Sequence, residues 1–209
     1  EDPVRLLIEM KKRYVWYRKN WRELPRQAIR EKIGADYVEK FGAPPLSIDI
    51  EISAHCNLAC PFCYRQWIAT PDKIMDPTLV FELIDQASDL GVPSIKFNWR
   101  GEPMLHRRLP DFINYAKKKG ILETIINTNA TLLTELAAEK LINAGLDVMI
   151  YSFDGGTSNT YNMMRPGRFQ ENSFKDVYKN IERFARIKKD RGATFPYTQV
   201  QMVLTKETF

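Results

Sequence analysis

LSIDIEISAHCNLACPFC, residues 46–63, runs a strand (46–53) straight into a loop that holds every cysteine of the chain. Downstream the pattern alternates. PTLVFELIDQASDLG (77–91) reads as a helix with Asp76 as N-cap and Gly91 at its end, SIKFNW (94–99) as a second strand, RLPDFINYAKKKG (108–120) as a helix and ETIINT (123–128) as a third strand. The helix TELAAEKLINAG (134–145) behind Thr134, the strand DVMIYSFD (147–154), a loop, the helix SFKDVYKNIERFARIKKDRG (173–192) and the strand TQVQMVLT (198–205) complete the order. Strict alternation implies right-handed crossovers and a parallel sheet with helices outside. Such a sheet either stays open and doubly wound or curls into a full or partial barrel of the TIM type, and both place chemistry at the carboxyl ends of the strands. The polar candidates fall there: Cys56, Cys60 and Cys63 after the first strand, Arg100, Gly101 and Glu102 after the second, Asn127 to Asn129 at the third, Ser152 and Asp154 at the fourth.

Working back from residue 46, Ala43-Pro44-Pro45 breaks the chain, and the stretch before it reads as two helices. Val4, Leu7, Ile8, Val15 and Trp16 recur at nearly helical spacing, and Pro25 is placed to start a second run ending near Gly42. Residues 1–45 are therefore expected to form a helical N-terminal extension and 46–209 the main domain. The extension carries 11 Lys/Arg against 7 Asp/Glu, which is four of the five net positive charges. No RNA-binding or zinc-finger signature accompanies that charge, so the solvated face of amphipathic helices explains it better than a nucleic-acid partner does. With 44% hydrophobic and 27% charged residues the chain can bury a core. No apolar run approaches the roughly 20 residues that span a bilayer, and charges interrupt the N-terminal stretch too often for a signal peptide, so a soluble, cytoplasmic protein with no membrane partner is expected.

Three cysteines within eight residues make a poor disulfide framework and a good metal-binding loop. Spaced by four and three residues after a strand, they can give one thiolate to each of three irons of a 4Fe-4S cluster, and soft anionic thiolates suit iron–sulfur chemistry. The fourth iron is left for a ligand with an amino and a carboxylate group. A structural zinc site is the alternative; it needs a fourth ligand from His55 or His106. Packed core cysteines fit less well, because Asn57 and Pro61 make the segment a loop.

CNLACPFC resembles the CxxxCxxC hallmark of the radical S-adenosylmethionine (SAM) superfamily, and RGEP (100–103), TNATLL (128–133) and SFDG (152–155) resemble its strand-end motifs in the expected order. The likeness runs from about residue 47 to 205 and is nearest to the branch that often carries a SPASM or related auxiliary-cluster domain; because a full core of this family has at least one more helix and strand, 46–209 is expected to be a core incomplete at its C-terminus. The resemblance implies a partial TIM-type barrel and an oxidoreductase-like enzyme that cleaves SAM reductively and abstracts hydrogen from a peptide, protein or sugar-type substrate, fed by a donor such as flavodoxin or ferredoxin. It further implies that Cys56, Cys60 and Cys63 hold the cluster. Phe62 would lie beside adenine, and Gly101 and Glu102, after Arg100 in place of the family's first glycine, would take the SAM ammonium. Asn129 would face the cofactor from a TNG-like turn in which Ala130 replaces glycine. Ser152 or Asp154 would approach its carboxylate or ribose, and Arg165, with Arg168 as the alternative, would pair with its carboxylate. The competing class is a non-catalytic iron–sulfur or zinc module that binds a partner or transfers electrons.

Overall fold

The computed structural model describes residues 3–34, 39–40, 42, 44–69 and 71–208, without the side chains of residues 3–7. Five strands, β1 (Ile48–Asp49), β2 (Ser94–Lys96), β3 (Glu123–Thr128), β4 (Val148–Ser152) and β5 (Tyr197–Gln201), pair in the order β1-β2-β3-β4-β5, every neighbour parallel. That order decides between the two closures. A doubly wound sheet reverses direction at a switch point, whereas here each crossover steps the same way, as in a barrel. Register is continuous, from Asp49 beside Lys96 through Ile125 and Val148 to Tyr197.

Helices α2 (Pro77–Asp89), α3 (Leu109–Lys118), α4 (Glu135–Ala144) and α6 (Phe174–Asp190) form the outer layer, and a seven-residue α5 (Ser158–Met164) precedes the last of them. Their starts follow the side chains that cap them. Asp76 accepts from the Thr78 N–H, Thr134 from Ala137 and Ser173 from Asp176, each meeting one of the donors a helix leaves unpaired. Gly145 ends α4 at φ 83, a left-handed conformation that glycine adopts without strain. Between helices and sheet lies one apolar core, in which Ile52, Ile95, Phe97, Phe112, Ile126, Met149 and Phe184 are at most 1% exposed.

At the foot of the sheet, Asp147 gathers the Lys117 ammonium at 2.8 Å with the backbone N–H and hydroxyl of Thr124, tying β4 to α3 and β3.

Two expectations fail. Helix α1 (Pro3–Glu31) runs through Pro25 instead of ending before it and restarting there; Glu39 and Lys40 are helical again, and residues 35–38, 41 and 43 of the expected second run lie outside the described residues. Tyr17 and Leu24, two turns apart on one face, are buried against Leu46 with Leu122 beside them, and this packing carries the helix across the proline. The segment after β4, read as loop, contains α5, which starts where the Thr157 hydroxyl accepts from the Thr160 N–H. Among the described residues, no helix is long and apolar enough to cross a membrane.

Tyr17, 1% exposed, is the anchor of α1. Tyr17→Ala is expected to cost about 3 kcal/mol of docking free energy, by analogy with other buried aromatic truncations. Hydrogen exchange should then speed up along α1 while β2, β3 and β4 stay protected; uniform deprotection of the sheet would contradict a separately docked helix.

Candidate functional site

The cysteine loop is braced from three strand ends. Beside β2, the Glu102 N–H donates to the His55 carbonyl at 2.8 Å, and Gly101 comes so close that a Cβ there would stand 2.1 Å from the Ser53 carbonyl oxygen. Its φ of +60 makes the same demand, so the position takes only glycine. Arg100, where a glycine was expected, fits because its guanidinium turns away to form a bidentate pair with Glu51 and lies over the Trp99 ring. From β3, Asn129 Nδ2 donates to Asn57 Oδ1 at 3.0 Å, and Asn57 Nδ2 donates to Thr131 Oγ1 at 2.9 Å. Beyond β4, Ala59 N donates to Pro166 O and Arg168 N to Asn57 O, both at 2.9 Å, around an antiparallel bridge between Leu58 and Gly167.

Held this way, Cys56, Cys60 and Cys63 are free thiols that line one cavity of about 510 Å³, with Phe62, Gly101, Arg165 and Arg168 on its wall. The Cys63 N–H closes a turn onto the Cys60 carbonyl at 3.0 Å, which brings the last two cysteines to the same side. Arg165 reaches the wall because Asp154, wholly buried, holds its guanidinium in an ion pair, and it lies over the Phe62 ring with the centroid at 5.5 Å.

The other expected residues stand behind the wall. Glu102 is 2% exposed; Oε1 accepts from the Thr128 hydroxyl at 2.7 Å and Met104 N at 3.1 Å, and Oε2 accepts from Asn129 N at 2.8 Å. Asp154 spends its carboxylate on Arg165 and on the Val203 N–H at 2.6 Å. Ser152 ends β4 half-buried, outside the residues that line the cysteine cavity. Both nitrogens of His106 are engaged, Nε2 with the Met75 carbonyl and Nδ1 with the Arg108 N–H, so it is a structural histidine. His55 Nε2 is buried without a hydrogen-bond partner, its ring edge-on to Phe169.

Sequence reasoning missed Asn57 and Thr131 as loop braces, although both lie inside quoted motifs, because their partnership spans 74 residues. It also missed Asp72, which joins Arg65 at 2.7 Å to Arg168 at the same distance and so fastens the outer end of the cysteine loop to the segment after β4.

Burial pushes the Cys56 thiol up to about 11, and the nearby Glu102 carboxylate adds to the rise. Cys60 is raised by burial as well, against the opposing pull of the Arg165 cation. Ligation of a metal must therefore displace protons from buried thiols, and the charge of Arg165 and the Leu58 N–H directed at Cys56 favour the thiolate that results. Among the described residues, no three His, Cys, Asp or Glu side chains are grouped as a single metal ion would need; the thiols share a cavity instead of a point.

A family model described as the radical SAM superfamily matches residues 50–208. The chain belongs to the radical SAM superfamily. The cofactors of this family are a 4Fe-4S cluster and SAM, and three soft thiols around an open cavity are a donor set suited to the cluster. This radical SAM chain is 29% identical over 163 residues to the tungsten-containing aldehyde ferredoxin oxidoreductase cofactor-modifying protein of Pyrococcus furiosus, over 77% of this chain and 44% of that protein. It is 34% identical over 118 residues to a probable GTP 3',8-cyclase of Methanothermobacter marburgensis, over 56% of this chain and 38% of that one. The chain thus spans less than half the length of either relative. In fold it resembles Streptococcus suis SuiB bound to precursor peptide SuiA (TM-score 0.63, 22% identity, 81% of this chain and 36% of that one). It also resembles native anSMEcpe with bound AdoMet (TM-score 0.60, 22% identity, 76% of this chain and 43% of that one).

Three donors point at the Glu102 carboxylate, and an amide can accept at only one end. Glu102→Gln is expected to orphan at least one buried donor and to cost about 2 kcal/mol, read as a lower urea midpoint with an unchanged slope; a midpoint equal to the wild type would show that the carboxylate does not bind the strand ends together.

Proposed function

We propose that this protein is a radical SAM enzyme whose Cys56, Cys60 and Cys63 each ligate one iron of a 4Fe-4S cluster, leaving the fourth iron to SAM. The observation that carries the reading is the convergence of all three thiols on one cavity whose wall also holds Gly101, Phe62 and Arg165. When bound, the cluster and SAM would supply one-electron reductive cleavage chemistry, with the electron coming from an external donor, and hydrogen-atom abstraction from a substrate carbon.

The chain's own residues do the positioning. Gly101, lacking a side chain, lets the backbone after β2 lie against the cysteine loop, and the carbonyls of that turn are the candidate acceptors for the SAM ammonium. Glu102 keeps that backbone in place from behind. Arg165 presents a cation beside Cys60, matched to a carboxylate ligand, and Asp154 fixes its direction. The Phe62 ring gives a flat apolar surface for an adenine, and Arg168 with Asp72 closes the outer rim. Ser152, which ends β4 outside the cavity lining, is the candidate contact to the ribose or carboxylate of SAM.

The substrate we propose is a peptide, protein or sugar, with a flavodoxin- or ferredoxin-type donor supplying the electron. A nucleotide or cofactor precursor is the second reading, favoured by relatives named as a GTP 3',8-cyclase and a cofactor-modifying protein. Deuterium carried from a labelled candidate into 5′-deoxyadenosine distinguishes the two. We further propose that residues 1–45 are an extension to a core starting at residue 46, that the protein acts in the cytoplasm, and that SPASM-type auxiliary clusters, where present, belong to chain outside these 209 residues.

Reconstituted with iron and sulfide without oxygen and then reduced, the protein is expected to convert SAM to 5′-deoxyadenosine and methionine. Cys60→Ala should lose the cluster absorption and drop product to background. A colourless wild type with one zinc per chain on these thiols, or cleavage that survives Cys60→Ala, would overturn the proposal in favour of a structural metal module.

A further inference from the structure

Asn129 has a second task that a contact with SAM would not predict. Its side chain is buried, with the residue 4% exposed, and the orientation of its amide is forced. The backbone N–H of Thr131 can only donate, and it lies 3.0 Å from Oδ1, with the Thr131 hydroxyl at 2.7 Å from the same atom. The opposite end of the amide must therefore be the NH2 group. One of its hydrogens goes to Asn57 Oδ1 at 3.0 Å, and Asn57 Nδ2 returns to Thr131 Oγ1 at 2.9 Å, closing a ring of three side chains that locks the rotamer. The same nitrogen stands 4.0 Å from Cys56 Sγ, within reach of an N–H···S hydrogen bond.

We propose that Asn129 Nδ2–H is a hydrogen-bond donor to the Cys56 thiolate and keeps the reduction potential of the cluster higher than it would otherwise be, with Asn57 and Thr131 as the positioning residues that aim it. Reduction adds negative charge that spreads onto the ligand sulfurs, and a donor directed at one of them stabilises the reduced form more than the oxidised form. The inference rests on the cluster ligation proposed above.

The test compares the anaerobically reconstituted wild type with Asn129→Ala and Thr131→Val by iron content and by redox titration followed by electron paramagnetic resonance. Asn129→Ala is expected to bind full iron with a more negative midpoint, so that the reduced-to-oxidised ratio at the wild-type midpoint falls about tenfold, equivalent to about 59 mV for a one-electron couple. Thr131→Val keeps the Thr131 N–H on Oδ1 and should move the midpoint by less than half as much. Full iron with an unmoved midpoint in Asn129→Ala overturns the inference, as does an equal shift in Thr131→Val, which would reduce the ring to loop support. Should Asn129→Ala fail to take up iron, wild type carrying 15N in its asparagine side chains decides by pulsed resonance: a nitrogen coupling to the reduced cluster is expected, and its absence overturns the inference. A wild type that holds no cluster overturns the ligation itself, a result distinct from a cluster whose midpoint ignores Asn129.

Discussion

A carboxylate taken out of water is expensive unless every lone pair that faces the protein is met. Glu102 is such a group, and meeting its needs is what draws the strand ends together. The hydroxyl of Thr128 and the N–H of Asn129 come from the end of β3, the N–H of Met104 from the turn after β2, and the Glu102 N–H goes to the carbonyl of His55, directly before the first cysteine. Burial raises the pKa of this carboxyl, while the hydrogen bonds from Asn129, Thr128 and Met104 pull it down. The ends of β1, β2 and β3 thus meet at one residue, and a shift in any of them would strand a donor or a charge. Gly101 is the geometric partner of this arrangement, since only a residue without Cβ lets the turn after β2 press against the Ser53 carbonyl.

Electrostatics on the other side of the cavity answer a different demand. Thiols buried among protein atoms resist ionisation, as the rise of Cys56 to about 11 shows, yet a metal requires thiolates. The opposing forces are local: the Arg165 cation beside Cys60 and the N–H of Leu58 at Cys56. Arg165 would itself be costly to bury alone, and Asp154 offsets that cost while also accepting the Val203 N–H after β5. Position and charge thus come from different contacts: β2, β3 and the segment after β4 fix the loop, while Asp154 after β4, with the Val203 N–H after β5, fixes the cation.

Much of this was legible in residue order, and the failures have physical causes. Strand–helix alternation, the caps at Asp76 and Thr134, and the position of Gly101, Glu102, Asn129, Ser152 and Asp154 at or just after strand ends follow from local patterns that the fold obeys. Pro25 misled because a proline permits a helix start without requiring one, and what settles the matter is the contact of Tyr17 and Leu24 with Leu46. Helix α5 offered only Tyr161 and Met164 as buried apolar positions, a single turn of periodicity between glycines and Asn-rich loops. The sheet's curl was not readable from any segment and emerges from the unreversed strand order. Within the site, the motifs located Asn129 and Glu102 but not their direction, because direction depends on partners 72 and 27 residues away.

Ala130 shows how far tertiary contacts override local preference here. An alanine at φ 58 stands in the left-handed region, at a cost of roughly 1–2 kcal/mol. Its N–H is taken by the Thr128 hydroxyl at 3.0 Å, and its carbonyl by Asn180 Nδ2 of α6, also at 3.0 Å. Two hydrogen bonds at about 0.5–1.5 kcal/mol each are of the size needed to offset the strain. The same strained turn sets the angle between Thr128, which serves Glu102, and Thr131, which orients Asn129 toward Cys56. An extended backbone at residue 130 would carry Thr131 away from the loop and open the ring. Alanine is tolerated because Asn180 reaches in from the outer layer, and in this way α6, with no residue of its own on the cavity wall, takes part in holding the cysteine loop.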